Sequence, residues 1–191
     1  VATACVLLGF LLGSIPSGVL LARLAGVDPR RGGSGNIGAT NVARLAGLRF
    51  GIATLLADAG KGAAAVLVAR LTGQSETVAA SAGLAAVLGH LYSPSLGFRG
   101  GKGVATSAGS LLVLVPAAAL GCIATFAVVL GFDRRVSVAS VSGALVAPIA
   151  SGLLQGWATP STAAATAMAL LVVTRHRSNL RRLLAGTEPR I

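Results

Sequence analysis

The sequence predicts an all-α membrane protein, a polytopic bundle of seven transmembrane helices, and three observations predict it. Of the 191 residues, 54% are hydrophobic and only 11% charged, about half the charged fraction of a soluble domain. Apolar runs recur that reach the ~20 residues a helix needs to cross a bilayer. Lys and Arg fall in the gaps between those runs, in a pattern that decides helix number and orientation. At this length one domain, residues 1–191, is the natural unit.

The first run, 1–24, has no basic segment ahead of VATACVLLGF and no small-residue cleavage site before a soluble domain. It therefore reads as a helix rather than a signal peptide. Further spans fall at 48–70, 77–93, 136–154 and 159–174. The stretch 103–132 is too long for one crossing, because at ~1.5 Å per residue it overreaches a hydrocarbon core of ~30 Å. It contains Pro116, a residue suited to the first turn of a new helix. The stretch is either one kinked span or two short ones, 103–115 and 116–132.

Charge separates these choices. The net charge is +11, from 16 Lys and Arg against five acids. With the N-terminus outside and seven spans, the inner side receives Arg23, Arg30, Arg31, Arg44, Arg49, Arg99, Lys102, Arg134, Arg135, Arg175, Arg177, Arg181, Arg182 and Arg190, which is 14 of the 16. Arg70 is left outside and Lys61 lies in a span. Six spans would carry Arg134, Arg135 and the whole tail outside, against the positive-inside rule. The C-terminus is therefore expected in the cytoplasm. The same count removes nucleic acid as the reason for a basic chain, since topology alone concentrates cations on one side.

Small residues crowd the spans, as in Gly9-x3-Gly13, Gly152-x3-Gly156 and AASAGLAAVLG. Such faces let helices approach closely in lipid. No internal repeat of the kind seen in many transporters is visible. Cys5 and Cys122 sit in apolar runs and read as core. The five acids and two histidines show no metal-ligand spacing, and neither a metal nor another cofactor is expected.

Four places carry chemistry. The first is GGSGNIGATNVAR, 32–44, in the first inner loop. Its glycines let backbone N–H groups turn toward an anion. Ser34, Asn36, Thr40 and Asn41 add neutral polar groups, and Arg44 adds a fork suited to phosphate. The second is GFRGGKGVAT, 97–106, glycine and lysine at a helix start, which favours an anion. It is no Walker A motif, because Leu96 stands where the first Gly belongs and Gly103 follows the Lys. Lys102 is the expected phosphate contact, with Gly100, Gly101 and Gly103 shaping the backbone. The third is the tail RHRSNLRRLLAGTEPRI, where His176 and Asn179 share a face if the helix continues. The fourth is DAGKG inside the second span. Asp58 and Lys61 are placed to pair, either for function or for packing. His90 ends the third span at the cytoplasmic level, as a site residue or a helix cap.

The ordered set GSIPSG, GGSGNIGATNVAR, DAGKG, GH, GFRGGKGVAT and HRSNLRRLLAGTE resembles the bacterial acyl-phosphate:glycerol-3-phosphate acyltransferase family over nearly the whole chain. The resemblance implies seven spans with the motif loops in the cytoplasm of a multi-pass inner-membrane protein. It implies transfer of an acyl group from acyl phosphate to glycerol 3-phosphate, the first step of phospholipid synthesis. It implies catalytic roles at Ser34, Arg44, His176 and Asn179, and substrate contacts at Asn36 and Gly100 to Gly103. Glu188 matches a glutamate with a structural role. The implied partners are acyl phosphate, glycerol 3-phosphate and the lipid bilayer, with a functional link to a soluble enzyme that forms acyl phosphate. Neither histidine starts the H-x-x-x-x-D pattern of other glycerolipid acyltransferases, since Ser95 and Arg181 stand where the Asp belongs. No G-x-S-x-G elbow is present. The rival class is a transporter or scramblase of a phosphorylated solute or lipid, which shares the loops but predicts no chemistry.

Overall fold

The computed structural model describes residues 1–191 as ten α-helices. Helices α1 (Ala2–Ser14) and α2 (Ser17–Arg23) are one apolar stretch broken at Pro16, which has no N–H to continue the ladder. A loop leads to the short α3 (Ala39–Ala46) and then to α4 (Leu48–Leu71). Next come α5 (Glu76–Leu91), a 3-10 turn at Pro94–Leu96, and α6 (Val104–Leu114). The chain closes with α7 (Pro116–Asp133), α8 (Val136–Gln155), α9 (Pro160–Arg175) and α10 (Arg177–Leu184). Pro116 opens α7, so α6 and α7 are separate helices. Four stretches are long and apolar enough to cross a membrane: Ala2–Arg23, Leu48–Leu71, Pro116–Asp133 and Val136–Gln155. The apolar helices α5, α6 and α9 are shorter, with 16, 11 and 16 residues.

Helix α5 is central and packs against α1, α4, α6 and α9. Its alanines explain why. Ala79, Ala80, Ala82, Ala85 and Ala86 are all buried, and they let neighbouring backbones come close. A Cβ at Gly9 would stand 2.5 Å from the Ala82 carbonyl oxygen, and one at Gly13 would run into the Ala86 carbonyl. The Gly9-x3-Gly13 stripe thus seats α1 on α5. Gly152-x3-Gly156 works differently: Gly152 faces the Trp157 ring and Gly156 ends α8. That pair shapes a turn rather than a helix interface. Large apolar side chains such as Leu11, Leu56, Leu120, Phe132, Leu153 and Leu170 point outward, as lipid-facing residues do.

The connections before α3, between α5 and α6, between α7 and α8 and after α9 all lie at one end of the bundle. That end carries the 14 basic residues named above. Two features there were not expected: α3, formed by ATNVARLA within the first loop, and the break at Pro16.

Candidate active site

The glycine-rich loop is fastened by one side chain. Asn41, buried on α3, donates from Nδ2 to the carbonyls of Pro29 (2.9 Å), Gly32 (3.2 Å) and Asn36 (2.8 Å). Its Oδ1 accepts from the Ser34 N–H at 2.9 Å. Asn36 Oδ1 accepts from the Gly38 N–H at 2.8 Å, which turns the chain into α3. Ser34, Asn36, Thr40 and Arg44 line the resulting cleft. Arg44 is exposed there and makes no salt bridge. Asn41 was expected to touch substrate. Its donors are instead spent on loop carbonyls, because a 15-residue-scale loop without secondary structure needs internal partners for its backbone.

The second wall is the glycine strand before α6. The N–H groups of Gly100 and Gly101 donate to the carbonyls of Leu91 (3.0 Å) and His90 (3.1 Å) at the end of α5. Arg175 holds the other side, donating to the Gly100 carbonyl at 2.9 Å and the Gly101 carbonyl at 3.2 Å. These two glycines were expected as substrate contacts, and their amides are not free for that. They fix the strand so that Lys102 reaches the cleft. Gly103, at φ +83, turns the chain into α6, whose first residues Val104 and Ala105 line the cleft. The first N–H groups of a helix are unpaired donors and favour an anion.

The third wall is α9, α10 and the tail. His176 Nδ1 lies 2.8 Å from the Val172 carbonyl, so Nδ1 carries the proton and Nε2 keeps its lone pair. Burial, with Lys102 nearby, pushes the His176 pKa down to about 4, and the ring is neutral. Lys102 Nζ donates to Asn179 Oδ1 at 2.6 Å. Asn179 Nδ2 donates to Glu188 Oε1 at 2.7 Å. The same oxygen accepts from Ser137 Oγ at 2.6 Å, and Glu188 Oε2 accepts from Arg182 Nε at 2.8 Å. Burial raises the Glu188 pKa, but the hydrogen bonds from Ser137, Asn179 and Arg182 together hold it below its usual value. Burial lowers the Lys102 pKa to about 8, helped by Arg182 and Arg175 and opposed by Glu188.

The floor is charged. Lys61 Nζ stands 2.8 Å from Asp58 Oδ1 and 2.8 Å from His90 Nδ1, and donates to the Ile15 carbonyl at 3.0 Å. Asp58 and His90 both line the cleft. The DAGKG pair therefore forms, with His90 as a third member.

Of the residues singled out in the sequence, Ser34, Asn36, Thr40, Arg44, Lys102, Gly103, His176, Asn179, Asp58, His90 and Glu188 meet at this one cleft, and Asn41 borders it as well. Sequence reading missed Arg182, Arg175 and Ser137. The two arginines counted only as topology charges, and a serine 51 residues from its Glu188 partner leaves no signal.

Comparison with known proteins decides the family. The model of the glycerol-3-phosphate acyltransferase family matches residues 3–186. The chain belongs to that family. It is 50% identical over 188 residues to a glycerol-3-phosphate acyltransferase of Anaeromyxobacter sp. (strain Fw109-5), covering 96% of this chain and 93% of that protein. It is 50% identical over 190 residues to that of Myxococcus xanthus (strain DK1622), covering 98% of both. The crystal structure of PlsY (YgiH), an integral membrane glycerol 3-phosphate acyltransferase in its glycerol 3-phosphate form, superposes with a TM-score of 0.94 at 38% identity. That match covers 100% of this chain and 95% of the other. A second form of the same protein, with lysophosphatidic acid, gives a TM-score of 0.92 at 37% identity. The enzyme is thus an integral membrane acyltransferase.

Proposed function

We propose that the enzyme transfers an acyl group from an acyl phosphate to the sn-1 hydroxyl of glycerol 3-phosphate, giving lysophosphatidic acid and inorganic phosphate. The observation that carries this reading is the cleft itself. Three separate parts of the chain bring Arg44, Lys102 and Arg182 to one small space beside the start of α6. Two anionic substrates repel each other unless several positive groups surround them. Leu55, Val104 and Val136 on the same lining offer an apolar side for the chain of the donor.

The reaction needs little beyond placement. An acyl phosphate is a mixed anhydride with phosphate as leaving group. The glycerol oxygen attacks the carbonyl carbon, the bond from that carbon to the phosphate oxygen breaks, and the hydroxyl proton leaves with a base. Arg44 and Lys102 neutralise the phosphates. Ser34, Asn36, Thr40 and Asn179 orient the substrates, which is chiefly a proximity effect. The base is either His176 Nε2 or a phosphate oxygen of a substrate. His176→Ala separates them, because retained turnover assigns the proton to phosphate. Glu188 holds Asn179, and Asn41 holds the loop.

On this reading seven helical segments cross the bacterial inner membrane, with the N-terminus outside and the cleft on the cytoplasmic side. The support is the gathering of 14 of 16 basic residues at the cleft end. A soluble enzyme must then supply the acyl phosphate. The test is phosphate release by purified protein given palmitoyl phosphate and glycerol 3-phosphate, with acyl-CoA as control donor. Phosphate and lysophosphatidic acid should appear in equal amount and require both substrates. Product from acyl-CoA alone would overturn the donor assignment.

A further inference from the structure

The proposed reaction uses the cationic walls of the cleft and leaves the buried charges beneath them without a task. We infer that Lys61, with Asp58 and His90, is a positioning unit for acyl transfer that sets the spacing between the two anion-holding loops. The inference rests on the assignment of those loops made above.

Lys61 reaches both walls from one point. A lysine ammonium has three protons, and the three neighbours of Nζ are Asp58, His90 Nδ1 and the Ile15 carbonyl. Two of these lead outward. Ile15 is the last residue before the break at Pro16, so its carbonyl marks where α2 begins. Helix α2 carries the first loop: a Cβ at Gly18 would run into the Ile37 carbonyl, one residue from Asn36. The His90 carbonyl accepts from Gly101, and a Cβ at Gly101 would run into His90 Nε2. The glycine strand therefore rests on the ring and the carbonyl of one histidine. Lys61 fixes that ring at Nδ1 and fixes the head of α2 by the same ammonium. Asp58 balances the charge, with Oδ1 2.8 Å from Nζ and 3.5 Å from His90 Nδ1. Ser93 Oγ secures the preceding carbonyl, Ser14, at 2.6 Å, so the break is held from α5's exit as well. The result is a strut across the floor. It holds Asn36 and Ser34 on one side at a constant distance from Lys102 on the other.

Such a strut acts on rate through placement, where a shift of ~1 Å costs about a hundredfold. The decisive variant is Asp58→Leu/Lys61→Met, which removes both charges together and leaves no unpaired ion; replacements of this kind commonly fold. The Ile15 carbonyl keeps the Ser17 N–H at 2.9 Å. Thermal unfolding in detergent verifies the fold. Phosphate release then gives kcat and KM for glycerol 3-phosphate, with Lys102→Ala measured alongside. The expected result is kcat/KM lower by about tenfold or more, with KM for glycerol 3-phosphate raised because the two loops no longer hold one phosphate together and kcat lowered with it by misplacement. The alkaline fall of the rate, set by Lys102 among Glu188, Arg182, Arg175 and His176, should also move upward as the strand loosens.

Wild-type values in the folded double variant, with Lys102→Ala impaired, overturn the strut and leave the site reading intact. Near-normal Lys102→Ala overturns the site reading and the strut with it. A loss confined to kcat, with KM and the alkaline fall unmoved, reduces the cluster to a structural role and also overturns the inference. Should the double variant not fold, His90→Gln and His90→Leu decide. Gln keeps an acceptor for Lys61 and should retain activity that Leu loses, whereas equal activity in the two overturns the strut.

Discussion

Lys102 Nζ and Asn179 Oδ1 lie 2.6 Å apart, joining residues 77 positions distant in the chain. The bond is charge-assisted and ties the glycine strand to α10. The amide has no freedom to flip, because its nitrogen is committed to Glu188. Lys102 is thus aimed by a chain of polar groups that ends at Ser137 and Arg182.

Lys102→Ala and Asn179→Leu should each lower kcat/KM by about tenfold or more. Because the two act through one contact, the double variant should lose less than the product of the single losses. A coupling of about 0.5–3 kcal/mol is expected from a double-mutant cycle in phosphate release. Purely multiplicative losses would mean that the two residues work independently.

The pH–rate profile should fall as pH rises through about 8, where Lys102 loses its proton. The sign follows from the role: burial favours the neutral amine, and only the cation neutralises phosphate. His176 should add no limb at the ordinary histidine value, since its pKa sits near about 4 and the ring is neutral across the working range. Lys102→Arg stays charged at alkaline pH. Whatever activity that variant retains should lack the fall near 8, and a fall that persists would assign the limb elsewhere.

Glu188→Gln and Glu188→Leu should separate charge from hydrogen bonding. Gln still offers an oxygen to Ser137 and Asn179, while its NH2 faces the Arg182 Nε–H and turns that side chain, 40% exposed, out to water, so the ion pair is lost. That pair is worth about 0–1 kcal/mol. Leu leaves two buried donors without partners, at about 1–3 kcal/mol each. Thermal unfolding in detergent should show a small loss for Gln and a clearly larger one for Leu. Equal losses would shift the weight of Glu188 to its charge.

Asn41→Asp should unfasten the first loop although the shape is kept. A carboxylate presents only acceptors to the three carbonyls of Pro29, Gly32 and Asn36. Activity should fall, and trypsin should cut faster after Arg30 and Arg31 in the same loop. Unchanged proteolysis with lost activity would return Asn41 to the substrate.

Much of this was legible in the sequence, for reasons that particular residues show. Pro116 divides a run too long for one helix, and a new helix begins there. Asp58 and Lys61 pair because a helix brings residues three apart together. Glycine and lysine before an apolar run announced the start of α6, with Lys102 just ahead of it. Gly100 and Gly101 read correctly as shaping the backbone, but the carbonyls they meet were not legible, nor was the role of Asn41. Glycine and amide groups serve equally to hold an anion and to hold neighbouring backbone, and only the fold shows which carbonyls stand close. Ser137 and Arg182 were missed because their meaning lies in one contact with Glu188, which no local pattern records.

Asp58 lies about 15 Å along α4 from Leu48, at ~1.5 Å per residue, yet it still borders the cleft. The short α6 begins at that depth, against His90 and the strand that rests on it. In the proposed reaction, substrates of opposite habit therefore meet between the loops and this charged floor. Drawing a fatty chain upward would expose it to water at ~0.8 kcal/mol per methylene. In the proposed reaction, lowering a small phosphate ester into a cationic well costs the fatty chain nothing, and the lipid being built never has to leave its leaflet.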